Sequence, residues 1–186
     1  MKKWWIILVA VLVLFAIVVG ALMTSRPPVE YRKLQKHISE EGYAQGAYTV
    51  LDIGGAKLYE AEENRIMLYS TASDEQWGNY LATVRIYLDR AGLESGVYAW
   101  SCDLDYRGST YVIEGTVKAS SVTEDMKNVS CEITYGAEKA ATELLKLQLK
   151  DLSRELLYDL LEDFSEYLEE SELALSAQDF GFPVMD

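Results

Sequence analysis

The chain predicts a membrane-anchored α+β protein: an N-terminal transmembrane helix, then a domain with a juxtamembrane helix, an antiparallel β-sheet of about six or seven strands and a long C-terminal helix. Three observations carry this. An unbroken apolar run extends from Trp4 to Met23. Short segments in which apolar and polar residues alternate recur between Tyr48 and Tyr135. From Ala137 to Ser171 there is no proline or glycine, and the strong helix formers Leu, Glu, Lys and Ala dominate.

The apolar run comes first. A helix of about twenty residues spans roughly 30 Å of hydrocarbon, so residues 4–23 are expected to anchor the chain in the cell membrane. Residues 1–3, Met1-Lys2-Lys3, form a cytoplasmic tail, and Trp4 and Trp5 suit the headgroup region. An N-in, C-out topology follows, opposed by Arg26, Arg32, Lys33 and Lys36 beyond the run. Val19-Gly20-Ala21 would pass as a signal-peptide cleavage site, but the apolar core of a signal peptide is normally about 7–15 residues. Retention as a single-pass anchor is the preferred reading. Residues 24–28 are then a linker, 29–178 an extracytoplasmic domain and 179–186 a tail.

Pro27-Pro28 stops one helix and starts another. Tyr31, Leu34 and Ile38 recur at helical spacing between Val29 and Gly42. Tyr48–Ile53 and Ala56–Ala61 flank Gly54-Gly55, and paired glycines supply the positive φ of a two-residue hairpin turn. Arg65–Ser70 reads as a further strand. Residues 73–91 carry two signals: a Ser73/Gln76 capping box with Trp77, Tyr80, Leu81, Val84 and Leu88 on one helical face, against alternation of Tyr80, Ala82, Val84, Ile86 and Leu88 as a strand. The β-branched Thr83, Val84 and Ile86 favour the strand. Tyr98/Trp100/Cys102/Leu104, Tyr111/Ile113/Val117 and Val129/Cys131/Ile133/Tyr135 then alternate as three strands of a meander with one buried face.

The C-terminal helix carries two apolar stripes, Leu145/Leu149/Leu152/Leu156/Leu160 and Leu157/Leu161/Phe164/Leu168. A helix over 137–171 would run about 50 Å, longer than the roughly 20 Å of an ordinary strand. The second stripe, Leu157, Leu161, Phe164 and Leu168, is therefore an interface candidate as well as a core candidate.

Composition limits the function. The net charge of −13 excludes a nucleic-acid binder, which needs a basic surface, and opposes docking on anionic headgroups. Thirteen tyrosines against four phenylalanines suit half-wet sheet surfaces. No cofactor motif is present. Asp103-Leu-Asp105-Tyr-Arg107-Gly108, with Glu114 twelfth, follows most of a calcium-loop pattern, which makes Asp103, Asp105 and Glu114 metal candidates. Arg107 brings a positive charge where an oxygen ligand belongs, and a hairpin turn explains the same residues. Asp103 and Asp105 also lie about 7 Å apart on one strand face, a separation two hydrolytic carboxylates could use.

The single histidine, His37, excludes a multi-histidine site within one chain. Asp52 before Gly54-Gly55 and the Asn128-Val129-Ser130 sequon have ordinary readings as hairpin and strand start. Cys102 and Cys131 are expected to be buried free thiols flanking a middle strand, provided that Tyr106 pairs with Tyr111 and Gly115 with Cys131. The expected function is a non-enzymatic binding or assembly module that meets an envelope protein or a second copy of itself. The alternative is an envelope hydrolase using carboxylates.

Overall fold

The computed structural model describes residues 28–61, 65–74 and 80–185. The expected anchor, 4–23, lies outside them, as do the Glu62-Glu63-Asn64 turn and Trp77. Among the described residues no helix is long and apolar enough to cross a membrane.

The protein is α+β. Helix α1 (Val29–Glu41) is followed by β1 (Tyr43–Gln45), β2 (Tyr48–Ile53), β3 (Ala56–Ala61), β4 (Arg65–Asp74) and β5 (Tyr80–Leu88). A short α2 (Arg90–Ser95) leads to β6 (Val97–Tyr106), β7 (Ser109–Lys118) and β8 (Ser130–Tyr135), and α3 (Glu143–Glu170) precedes a 3₁₀ turn at Ala177–Phe180. The eight strands form one antiparallel sheet in sequence order. The additional strand is β1, three exposed residues that carry no alternation signal. Residues 80–88 are strand, with Ala82, Val84, Ile86 and Leu88 all buried.

One row of side chains shows how the sheet is built. Leu51, Leu58, Leu68, Ile86, Trp100, Gly115 and Cys131 lie opposite one another across seven strands. All point to the face that α1 and α3 cover, because strand side chains alternate and these share one phase. Trp100 is 2% exposed. Beside it Gly115 is indispensable for a different reason: a Cβ there would lie 1.9 Å from the Ser130 carbonyl oxygen of β8.

The opposite face is the half-wet tyrosine surface. Tyr59 packs edge-on against Tyr48 and Tyr69, at 6.3 and 5.1 Å between ring centres, and the Arg65 guanidinium sits 5.3 Å over Tyr87.

Four expectations need correction. The β6–β7 turn has two residues, Arg107 and Gly108 at φ 51° and 77°, so Tyr106 pairs with Ser109 rather than Tyr111 and Cys102 faces Ile113. Gly115 does face Cys131, and the two free, buried thiols lie on either side of β7. Tyr135 is 54% exposed, since β8 is an edge strand. Helix α3 begins at Glu143, where the Thr142 side chain accepts a hydrogen bond from Leu145 N–H at 3.1 Å.

The last correction concerns the tail. Phe180 and Phe182, expected in a tail beyond the domain, are 1% and 2% exposed: Tyr98 donates to the Phe180 carbonyl at 2.7 Å, and Phe182 stacks on Tyr98 with ring centres 5.2 Å apart.

Candidate functional site

The sequence-derived metal candidates share the solvent face of β6 and β7, and two of the three are already engaged. The Asp103 carboxylate takes a hydrogen bond from Arg85 Nη1 at 2.5 Å, and Asp105 accepts one from Thr110 Oγ1 at 2.6 Å. Glu114 faces Ser101 on one side and Glu132 on the other. A guanidinium seated on one carboxylate removes it as a cation ligand, and among the described residues no group of three or more His, Cys, Asp or Glu is arranged to hold a metal. Asp52 is paired with Lys57 at 3.0 Å, and Asn128 is exposed in the turn before β8.

The interface candidates are corrected too. Leu157, Leu161, Phe164 and Leu168 are 0%, 1%, 0% and 1% exposed, and both apolar stripes of α3 are used within the chain. Both pack into one core with the sheet, and the second also meets the C-terminal segment, where Phe180 lies edge-on to Phe164 at 5.3 Å. Helix α1 is joined to the same assembly by His37, whose Nε2 shares a 2.7 Å hydrogen bond with the Tyr167 hydroxyl of α3.

What α3 leaves to solvent is a third stripe. Leu144, Leu147, Gln148, Asp151, Glu155, Asp159, Glu162 and Glu166 follow one another at helical spacing, apolar at the N-terminal end and acidic beyond. Leu144 and Leu147 are 66% and 53% exposed, because they point away from the face on which Leu145 and Leu149 meet the core.

Depressions flank this stripe. One, about 530 Å³, lies between Tyr80, Tyr106 and Arg107 at the sheet end and Leu149, Leu152 and Glu155 of the helix. The other, about 620 Å³, lies between the helix and the loop at 124–127. They share Asp151 and Glu155, which form the ridge between them. The loop is fixed by Met126, whose side chain is 1% exposed and whose N–H reaches the Thr123 carbonyl at 2.8 Å.

The second depression is strongly acidic. Glu124, Asp125, Asp151, Glu155, Asp159 and Glu162 line it beside only Lys127 and Arg154. Both cations are committed: Lys127 to Asp125 at 2.7 Å, and Arg154 to Asp151 at 3.0 Å and the Val129 carbonyl at 3.1 Å. Burial, reinforced by Glu155, Glu162 and Asp163, holds the Asp159 carboxyl above the ordinary aspartate range. Burial, then Glu166 and Glu162, does the same to Asp163. Asp125 is held below that range by its hydrogen bonds with Lys127. Both of these raised carboxyls belong to the helix.

The sequence marks Glu162 and Glu166 as an acidic flank of the apolar stripes, but not the apolar N-terminal end of this face. Leu144 and Leu147 fall outside both, and that was the available signal. Comparison with protein families, characterised proteins and solved structures finds no match for the chain.

Proposed function

We propose that the protein is a single-pass, membrane-anchored binding or assembly module. Residues 4–23 hold it in the cell membrane with its N-terminus cytoplasmic, and the extracytoplasmic domain presents the outer stripe of α3 to another envelope protein or to a second copy. The apolar-then-acidic stripe between two depressions carries this reading. Exposed Leu144 and Leu147 offer apolar area that a partner would remove from water. The carboxylates beyond them repel one another, and a basic partner segment would relieve that repulsion and be steered to the site. The acids on the sheet face are paired or solvated, which gives the hydrolytic alternative no comparable support.

The test is photo-crosslinking from position 147 in intact membranes. An adduct of defined mass, lost in an E155K/D159K variant and weakened by salt, is the expected result; its mass distinguishes a second copy from another protein. A monomer-only pattern, or an adduct indifferent to the charge reversal, would overturn the proposal.

A further inference from the structure

The net charge of −13 conceals a strong segregation. Residues 1–36 contain six of the 17 lysines and arginines and one of the 30 acids, which leaves 11 cations against 29 acids in the rest of the chain. Helix α1 shows how the excess is displayed. Tyr31, Leu34 and Ile38 are buried against the sheet, while Val29, Arg32, Lys33 and Lys36 are exposed. At about 100° per residue, these four project opposite the buried three. Val29 is 51% exposed and the Lys36 side chain 73%. Glu40, in the last turn, is the one acid on this face, and it lies 3.5 Å from Lys36. Gln35 and His37, on the flanks, are turned to the domain by hydrogen bonds to Glu60 and Tyr167.

We infer that this exposed face of α1 docks on the surface of an anionic bilayer, laying the helix along the membrane and fixing how the domain is held above it. The inference rests on the anchor reading of residues 4–23. Two observations select lipid as the occupant. The apolar run ends at Met23, only five residues before Pro28, so the first turn of α1 cannot stand far from the headgroups. The face has the composition of an interfacial helix, an apolar side chain among basic ones. The acidic remainder is repelled by the same surface, so attraction at α1 and repulsion elsewhere favour one orientation. Each basic side chain near an anionic surface contributes roughly a fivefold bias, so Arg32, Lys33 and Lys36 together supply on the order of a hundredfold.

Full-length protein in nanodiscs tests this. Amide exchange along α1 is compared in discs of phosphatidylcholine alone and in discs containing phosphatidylglycerol. Exchange should slow at least tenfold in the anionic discs, return toward the neutral-disc rate in 0.5 M NaCl, and lose its lipid dependence in an R32Q/K33Q/K36Q variant. Equal exchange in both lipids, or slowing that survives both salt and the substitutions, would overturn the docking. Resistance of the protein to alkaline extraction from membranes reports on the anchor separately: an extractable protein refutes the anchor, whereas a resistant protein with lipid-independent exchange refutes only the docking. The lipid comparison uses the natural sequence, so it stands even if the variant misfolds.

Discussion

Replacing Gly115 by alanine tests the central register of the sheet. The added methyl would sit 1.9 Å from the Ser130 carbonyl oxygen, 2.9 Å from its carbon and 3.0 Å from Cys131 Cα. An ordinary carbon–oxygen contact needs about 3.3 Å, so β8 must move by more than an ångström. The obstacle is backbone, and no rotamer change relieves it. As β8 swings out it strains its pairing with β7 from Thr116 to Val112 and draws Cys131, 7% exposed, and the neighbouring Val129, 2% exposed, off the core. Overpacking of this kind costs about 3 kcal/mol, the upper end of the usual range. For a chain of 186 residues that lowers the melting temperature by roughly 6–12 °C. Thermal unfolding followed by near-ultraviolet circular dichroism, in detergent, measures it. Thr116→Ala, one position along on the exposed face, is the control and should cost less than about 1 kcal/mol. A Gly115→Ala protein melting within about 2 °C of the natural one would refute the placement of Ser130 against Gly115.

Leu161→Glu should abolish folding, because losing a buried leucine costs about 2–5 kcal/mol and the buried carboxylate several more, against a typical total of about 5–15 kcal/mol. Leu147→Glu should leave the far-ultraviolet spectrum and protease resistance unchanged, and a folded L161E protein would return that stripe to the surface. Burial pushes the Cys102 thiol up to about 11 and raises Cys131 as well, so maleimide at pH 7 should label neither in the folded protein and both after denaturation. An unlabelled denatured protein that becomes labelled only after reduction would establish a disulfide and overturn the strand order. Asp159 is raised in the folded state, so the native protein binds more protons than the unfolded one between the ordinary value of 3.8 and the raised value, and its ionisation makes stability fall as pH rises through that window. Asp159→Asn should therefore raise the melting temperature at pH 7, with the advantage fading below pH 3.8; a lower melting temperature at pH 7 would contradict the shift.

Much of this fold was legible because period-2 and period-3.6 patterns survive local errors. The β6–β7 hairpin was expected to pair Tyr106 with Tyr111 and instead pairs it with Ser109. The slip is two residues, and two residues return every side chain to the same face, so Tyr98, Trp100, Cys102 and Leu104 were still assigned to the core correctly. The turn was misread because its left-handed first position holds Arg107, where asparagine, aspartate or glycine is the usual signal. Helix α2 was missed because six residues leave little room for periodicity, although Asp89 caps it by accepting from Gly92 N–H at 2.7 Å.

The outer face of α3 was illegible for another reason. Its exposure depends on which two of three stripes are covered, and their burial in a core shared with the sheet and with Phe180 is a long-range fact. Phe180 and Phe182, both buried, belong to the core although the sequence placed residues 179–186 in a tail, because the contact that buries them lies about 80 residues back at Tyr98.

The order of the sheet sets a schedule for the chain's own folding. Each strand pairs with its neighbour in sequence, so the meander can extend hairpin by hairpin from β1 to β8 as residues emerge, with little loop-closure cost. Its apolar inner face gains its main cover only when α3 arrives, and the hydroxyl of Tyr98 waits for the carbonyl of Phe180, 82 residues later. A chain still being synthesised therefore carries a paired sheet whose apolar side is not fully covered until Phe182 is free. Stalling or truncation before Phe182 leaves that side exposed to aggregation and proteases, which makes release of the segment from Leu175 to Phe182 the event that closes the core.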